Sequence, residues 1–191
     1  MQAGAARVDI TPPPGTLING DFFPHRATFI HDRLYAKALV LQHAGLSLAL
    51  VVVDICVMPI EYTTEVRQRI AAETGIPFEH ILISTTHTHA AGSVSVVHLT
   101  DPDPQYSEAL PGLICQAVQE ALARCRPAKI GFGCVQAPEH VLCRRYFMKP
   151  GFVSINPVNG REEQVRTNPI GAAAFIEKSA GPVDPDVGFM A

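Results

Sequence analysis

The sequence lacks the features that would place it on a membrane or on nucleic acid. Its longest apolar runs, such as residues 48–53, are far too short to span a bilayer. The N-terminus has no basic region followed by an apolar core, which a signal peptide requires. No run of lysine and arginine offers a surface for nucleic acid or anionic lipid, and the formal net charge is -3. We therefore predict no transmembrane segment, no nucleic-acid partner and a cytoplasmic location, or a secreted or periplasmic one if a signal has been removed.

Several common catalytic and redox motifs are also missing. The sequence has no G-x-S-x-G nucleophile turn, no glycine-rich phosphate loop, no H-E-x-x-H helix and no C-x-x-C pair. The five cysteines are Cys56, Cys115, Cys125, Cys134 and Cys143. Their odd number and irregular spacing favour reduced thiols, most of them in the core, over a disulfide framework.

The 191 residues, 47% of them hydrophobic and 17% charged, are enough to form a buried core. Hydrophobic periodicity and turn residues predict strands at residues 5–11, 35–42, 48–55, 80–86 and 129–135, and helices at residues 59–74 and 107–125. This order predicts an α/β fold, a mixed β-sheet with crossover helices. Residues 48–53 are apolar at every position, which predicts a central strand covered on both sides. Pro111 is expected in the first turn of its helix.

The last third of the sequence has weaker patterns. Residues 138–171 show little periodicity and several Asn-Pro and Asn-Gly turn signals, which predict a long loop. Residues 172–177 are predicted to form a strand, and residues 187–191 the start of another.

The most informative segment is Ile83-Ser84-Thr85-Thr86-His87-Thr88-His89. Residues two apart on an extended chain point to the same side, and ligands of α/β sheets bind at the carboxyl ends of strands. Imidazole is a good ligand for zinc, copper, iron and nickel, so His87 and His89 are candidate metal ligands. The alternative is a pair of strand-end histidines hydrogen-bonded to their neighbours, because His-x-His is a short pattern with many chance matches.

Two further polar positions are candidates for the same site. Asp54 follows the apolar run 48–53 and is expected at the same sheet edge, where a carboxylate can orient a histidine or bind metal. It fits a helix cap or a loop equally well. Arg144 lies between Cys143 and Arg145 in the sequence. Its guanidinium can hold a developing oxyanion. An ordinary surface pair is the alternative.

Five segments together resemble the N-terminal domain of the neutral/alkaline non-lysosomal ceramidase family. They are Ala5-Ala6-Arg7-Val8-Asp9-Ile10-Thr11-Pro12, His31-Asp32-Arg33-Leu34-Tyr35-Ala36-Lys37-Ala38-Leu39, Val53-Asp54, Ile83-Ser84-Thr85-Thr86-His87-Thr88-His89 with Ala90-Ala91-Gly92, and Gly181-Pro182-Val183-Asp184-Pro185-Asp186-Val187. They occur along nearly the whole chain in the expected order, which makes the resemblance more specific than the histidine pair alone.

The resemblance implies a hydrolase that cleaves the amide of N-acylsphingosine or a related small-molecule lipid amide with one Zn²⁺. It implies that His87 is a zinc ligand, and that His89 lies beside the substrate and stabilises the reacting amide oxygen. The family has an Asn-Arg pair whose arginine contributes to that site. The matching pair here is Cys143-Arg144, so the resemblance implies this role for Arg144, with cysteine in place of asparagine.

The family's other zinc ligands are a histidine, a glutamate and a tyrosine, and the resemblance places all three beyond residue 191. Residues 1–191 are accordingly expected to form a single incomplete domain, the N-terminal portion of a larger catalytic domain, which needs the missing C-terminal segment to complete the site. Two other hypotheses stay open. In one, the chain is an inactive truncated module or weak metal-binding domain with no catalysis of its own. In the other, it belongs to a hydrolase in which His87, His89 and Asp54 together hold the metal.

Overall fold

The computed structural model describes residues 1–153 and 155–191, which divide into two compact units, Met1–Lys129 and Ile130–Ala191. Each unit has its own sheets and is considered by itself. The expectation of a single incomplete domain over residues 1–191 stays a prediction.

The first unit is built on a mixed β-sheet. Its elements are β1 (Gln2–Asp9), β2 (Leu17–Ile18), β3 (His25–Arg26), β4 (Tyr35–His43), β5 (Leu46–Val53), α1 (Ile60–Thr74), β6 (Ile81–Thr85), α2 (Pro104–Ala123) and β7 (Arg126–Pro127). The main sheet has the order β6-β5-β4-β1-β7, and β2 pairs with β3 in a separate hairpin. Because β5 and β6 are parallel while β1, β4 and β5 pair antiparallel, the predicted mixed-sheet α/β class is confirmed.

A two-residue turn joins β4 to β5. Ala44 and Gly45 both have positive φ values, 49° and 82°, which is the backbone of a type I′ turn. This turn matches the right-handed twist of the flanking strands and sets the register in which Leu39 lies opposite Leu50. The strands predicted at residues 35–42 and 48–55 are thus present and pair with each other as a hairpin.

The main sheet buries one face against both helices. In β5 the alternate residues Ala49, Val51 and Val53 are buried, in one apolar cluster with Val66 of α1 and Ile114 of α2. The intervening apolar side chains are more open, as shown by Leu48 at 38% and Val52 at 39% exposure. The prediction of a strand covered on both sides is therefore wrong, because the run alternates in burial although not in polarity.

The helix α1 ends where the sequence predicts, at Gly75, whose φ of 74° closes the helix in the left-handed conformation. The helix α2 begins earlier than predicted, because Asp103 caps it by accepting a hydrogen bond from the N–H of Tyr106 at 3.1 Å. Pro111 lies well inside α2 rather than in its first turn.

The helix continues through Pro111 because another donor replaces the one that proline lacks. A proline cannot donate to the carbonyl four residues earlier, which here belongs to Ser107. The hydroxyl of Tyr62 on α1 donates to that carbonyl at 2.7 Å. Neither this helix nor any other in the described residues is long and apolar enough to cross a membrane.

The second unit contains short antiparallel strands. They are β8 (Phe132–Gln136), β9 (Arg145–Met148), β10 (Val165–Thr167), β11 (Ile176–Ser179) and β12 (Asp186–Met190). The strand β9 lies between β10 and β11, and β8 pairs with β12. The prediction of an uninterrupted loop over residues 138–171 is wrong, because β9 and β10 fall within it. The predicted strand at 187–191 corresponds to β12, and the one at 172–177 begins only at Ile176.

Candidate functional site

The histidine pair lies at the carboxyl end of two parallel strands, as the sequence predicts. Val53 and Thr85 pair at the ends of β5 and β6. The pairing continues past both strands, because the N–H of His87 donates to the carbonyl of Ile55 at 3.0 Å. This extension brings the residue after Ile55, which is Cys56, alongside His87.

His87 has a strained backbone and a fixed ring. Its φ of +61° lies in the left-handed region, which costs a residue with a side chain about 1 to 3 kcal/mol. Its Nδ1 lies 3.0 Å from the main-chain carbonyl oxygen of Cys56. A carbonyl can only accept, so Nδ1 carries the proton and the lone pair of Nε2 stays available. Metal-binding histidines are oriented by the same kind of contact.

Three side chains of types that bind metals lie close together at this sheet edge. One ligand atom each from Cys56, His87 and His89 falls within 4.8 Å of the others, with Cys56 buried and both histidines exposed. The Sγ of Cys56 lies 3.7 Å from Nδ1 of His87. Sulfur and imidazole are the donors that zinc takes in proteins, so this set fits the implied Zn²⁺.

Sequence reasoning missed Cys56. Its proximity to His87 depends on the register of β5 against β6, and its position just past a strand end was the only available signal. Burial raises the pKa of the Cys56 thiol, and the carboxylate of Asp21 raises it further. The side chain is therefore a neutral thiol at neutral pH unless a bound metal displaces its proton.

His89 lies against His87 and near a carboxylate. The two rings meet edge to face, with centroids 5.0 Å apart and an interplanar angle of 78°. Oδ1 of Asp21 lies 4.0 Å from Nδ1 of His89, and Oδ2 of the same residue lies 3.6 Å from Nδ1 of His25. These distances exceed those of hydrogen bonds, but they allow Coulombic attraction whenever either imidazole carries a positive charge.

The carboxylate of Asp54 accepts hydrogen bonds from the neighbouring strand β4. It accepts from Nζ of Lys37 at 2.9 and 3.1 Å and from the N–H of Tyr35 at 3.0 Å. Asp54 is only 8% exposed. Its bonds connect β4 to the end of β5. The group of metal-binding donors contains Cys56 and not Asp54. A role for Asp54 at the metal stays a prediction.

A cavity of about 470 Å³ opens beside His89. Apolar side chains form part of its lining, namely Pro12, Ile18, Phe29, Ile30 and Leu34. His25, Arg26 and His31 supply polar groups to the same lining. An elongated molecule with an apolar part can therefore lie next to the imidazole of His89.

The second unit contains the other predicted catalytic residue. Arg144 is exposed and immediately precedes β9, where its main-chain carbonyl accepts from the N–H of Asn168 at 2.8 Å. It lines a cavity of about 430 Å³ together with Cys143, Arg145 and Asp184. The role of Arg144 in catalysis stays a prediction.

Comparison with known proteins shows which fold this arrangement belongs to. No protein-family model and no curated protein sequence matches the chain. The crystal structure of neutral ceramidase from Pseudomonas aeruginosa matches with a TM-score of 0.63 and 18% identity, covering 84% of this chain and 30% of that one. A structure described as ceramidase complexed with C2 matches with a TM-score of 0.62 and 19% identity, covering 84% of this chain and 29% of that one.

This chain shares its fold with part of neutral ceramidase. The resemblance inferred from the sequence is thereby confirmed at the level of fold. The chain spans less than a third of the length of the ceramidase structures it matches.

Proposed function

We propose that this chain forms part of a zinc-dependent amide hydrolase that resembles neutral ceramidase. The observation that carries the proposal is the position of His87 and His89. They lie with Cys56 at the carboxyl ends of two parallel strands, in a fold that neutral ceramidase shares over 84% of this chain.

In the proposed site His87 binds the metal, and His89 stabilises the reacting amide oxygen. Nε2 of His87 is the ligating atom, because Nδ1 donates to the carbonyl of Cys56. Bound zinc supplies a water molecule of lowered pKa and a Lewis acid for the amide carbonyl. The imidazole of His89 donates a hydrogen bond to the amide oxygen as that oxygen gains negative charge. One such donor is worth about 3 kcal/mol in other enzymes.

Two charged residues belong to the proposal beside the histidine pair. The carboxylate of Asp21 lies 4.0 Å from Nδ1 of His89 and adds negative potential next to its ring. The catalytic role that the resemblance implies for Arg144 is part of the same proposal. Water adds across the amide bond, with hydroxyl going to the acyl carbon and a proton to the leaving nitrogen. The products are a carboxylic acid and an amine, and no serine nucleophile takes part.

The proposed substrate is a lipid amide such as N-acylsphingosine. The cavity beside His89 has an apolar part formed by Phe29, Ile30 and Leu34, which suits a hydrocarbon chain. The remaining zinc ligands, a histidine, a glutamate and a tyrosine, come from a C-terminal segment outside these 191 residues. The cytoplasmic location expected from the sequence belongs to the same proposal.

The test compares this chain with the longer protein that the proposal implies. Zinc content is measured by mass spectrometry of the metal, and turnover with a fluorogenic N-acyl amide. We expect stoichiometric zinc and turnover in the longer protein and neither in the 191-residue chain. A longer protein that binds zinc but leaves every N-acyl amide intact would contradict the proposal.

The second candidate is a metal-binding module without catalysis of its own. It is favoured by the fact that Cys56, His87 and His89 offer three donors within a single unit. In that case the 191-residue chain alone binds zinc, and all three side chains are needed for binding.

A further inference from the structure

The segment Leu17 to Gly20 is attached to the loop that follows His89. The N–H of Asn19 donates to the carbonyl of Ala91 at 3.2 Å, and the N–H of Ser93 donates to the carbonyl of Leu17 at 2.8 Å. Between these bonds, Ile18 and Gly92 form an isolated antiparallel bridge. The loop after His89 is therefore held by strand-like pairing and is not free to move.

The side chain of Asn19 strengthens this attachment from inside. The residue is 2% exposed, and its Nδ2 donates both to Oγ of Ser93 and to the carbonyl of Ser95, each at 3.1 Å. A buried amide that spans two residues of a loop fixes the shape of that loop, because losing either bond leaves a buried polar group unpaired.

Gly20 then places bare main chain directly against the imidazole of His89. Its φ is +118°, and a Cβ at this position would lie 2.5 Å from Cγ of His89 and 2.9 Å from Cδ2. Real Cβ atoms do not approach so closely, so only glycine leaves room for the ring in its present position. The ring of His87 meets the same imidazole edge to face, with centroids 5.0 Å apart.

We propose that Asn19 and Gly20 are positioning residues that set where the imidazole of His89 lies. Asn19 fixes the loop, and Gly20 provides the surface on which the ring rests. Neither residue binds metal or substrate in this role. The kinetic part of the test rests on the proposed amide hydrolysis, whereas the spectroscopic part does not.

The main test variant is Gly20→Ala, with Gly15→Ala as its matched control. Gly15 also has a positive φ, +98°, but a Cβ there would meet nothing within 4 Å. The control therefore reproduces the backbone strain of alanine without the contact to His89. Both variants are made in the 191-residue chain and in the longer protein that the proposed function implies.

In NMR spectra of the imidazole groups, we expect Gly20→Ala to shift the His89 ring signals and to leave those of His43, at the far end of β4, unchanged. Gly15→Ala should shift neither. In the longer protein we expect Gly20→Ala to lower kcat about ten- to a hundredfold, the range expected for a displaced catalytic group. KM and zinc content should stay within about twofold of the unsubstituted protein, since zinc is held through His87.

The variant Asn19→Asp keeps the shape of the side chain and removes its donor. We expect it to move the His89 signals in the same direction as Gly20→Ala, which tests the proposal even if the alanine variant fails to fold. Unchanged His89 signals in both variants would overturn the proposal. If the longer protein hydrolyses no amide, the proposed function fails, and the NMR shifts alone decide whether these residues position His89.

Discussion

Nδ1 of His87 lies 3.0 Å from the main-chain carbonyl oxygen of Cys56. Because the acceptor is a main-chain atom, the orientation of His87 does not depend on which side chain residue 56 carries. A substitution at Cys56 can therefore distinguish the two ways in which a metal could be held here. In one, His87 binds through Nε2 with ligands from a further segment, and in the other Cys56 and His89 complete a local set.

Replacement of single ligands distinguishes these two arrangements. In the longer protein that the proposed function implies, we expect His87→Ala to abolish zinc binding, and His89→Ala to retain zinc while kcat falls by about a hundredfold or more. Zinc content and amide turnover, measured on the same preparation, check both expectations. Loss of zinc from the His89→Ala protein would instead make His89 a ligand.

Cys56 gives an independent test of the same choice. We expect Cys56→Ser to retain zinc, because the carbonyl that orients His87 is unchanged by the substitution. Substitution of zinc by cobalt provides the spectroscopic check, since a thiolate ligand produces a strong sulfur-to-cobalt charge-transfer band. The band should be absent from the unsubstituted protein. If the band is present there and is lost in Cys56→Ser, this result would support the metal-binding module in which Cys56, His87 and His89 all bind the metal.

Asp54 is expected to contribute to stability through its ion pair with Lys37. Asp54→Asn keeps an oxygen for the N–H of Tyr35 but loses the ion pair with Lys37. Since the lysine side chain is 49% exposed, we expect a loss of only about 1 kcal/mol in the free energy of unfolding, measured in urea. Lys37→Met is the matched control and should cost at least as much, because it leaves the largely buried carboxylate of Asp54 without its cation. A variant of normal stability that has lost its zinc would show that Asp54 serves the metal.

The bond between Tyr62 and Ser107 can be tested by a double-mutant cycle. Tyr62→Phe leaves the carbonyl of Ser107 without its donor, which should lower the free energy of unfolding by about 1 kcal/mol. Pro111→Ala introduces an N–H that can donate to the same carbonyl within α2. We therefore expect Tyr62→Phe to cost less in the Pro111→Ala background than in the parent chain. Equal costs in both backgrounds would mean that Tyr62 does not compensate for Pro111.

The sequence predicts the location of the histidine pair but not its closest neighbours. His87 and His89 follow an apolar strand, and strand ends meet in parallel sheets, so their place at the sheet edge could be inferred from local pattern. The proximity of Cys56, Asp21 and Gly20 depends on strand register and on how loops pack. Neither leaves a periodic signal in the sequence.

The errors in the fold predicted from the sequence have related causes. The segment 48–53 is apolar throughout, so its one-sided burial follows from where the helices pack and not from its composition. The strands β9 and β10 are short and pair across a long stretch of chain, and hydrophobic periodicity does not reveal such pairing. Pro111 is tolerated within α2 because of a tyrosine on another helix, which local rules for proline cannot include.

The cysteines should differ widely in reactivity, in an order set by their surroundings. Hydrogen bonding with the main chain of Arg145, and then with the side chain of Ser179, lowers the pKa of the Cys143 thiol. Burial and a hydrogen bond to Glu73 raise the pKa of Cys115 to about 12. The thiolate is the reactive form, and its fraction falls about tenfold for each pH unit below the pKa.

With iodoacetamide at pH about 7.5, we therefore expect Cys143 to be alkylated before Cys115. Mass spectrometry of peptides sampled over time measures both rates, and Cys134, which is exposed, serves as the reference. Denatured protein is the control, because unfolding removes the burial and the hydrogen bonds and should bring the three rates together. Equal rates for Cys143 and Cys115 in the folded protein would mean that the thiol of Cys115 is not protected by the packing of α1 against α2.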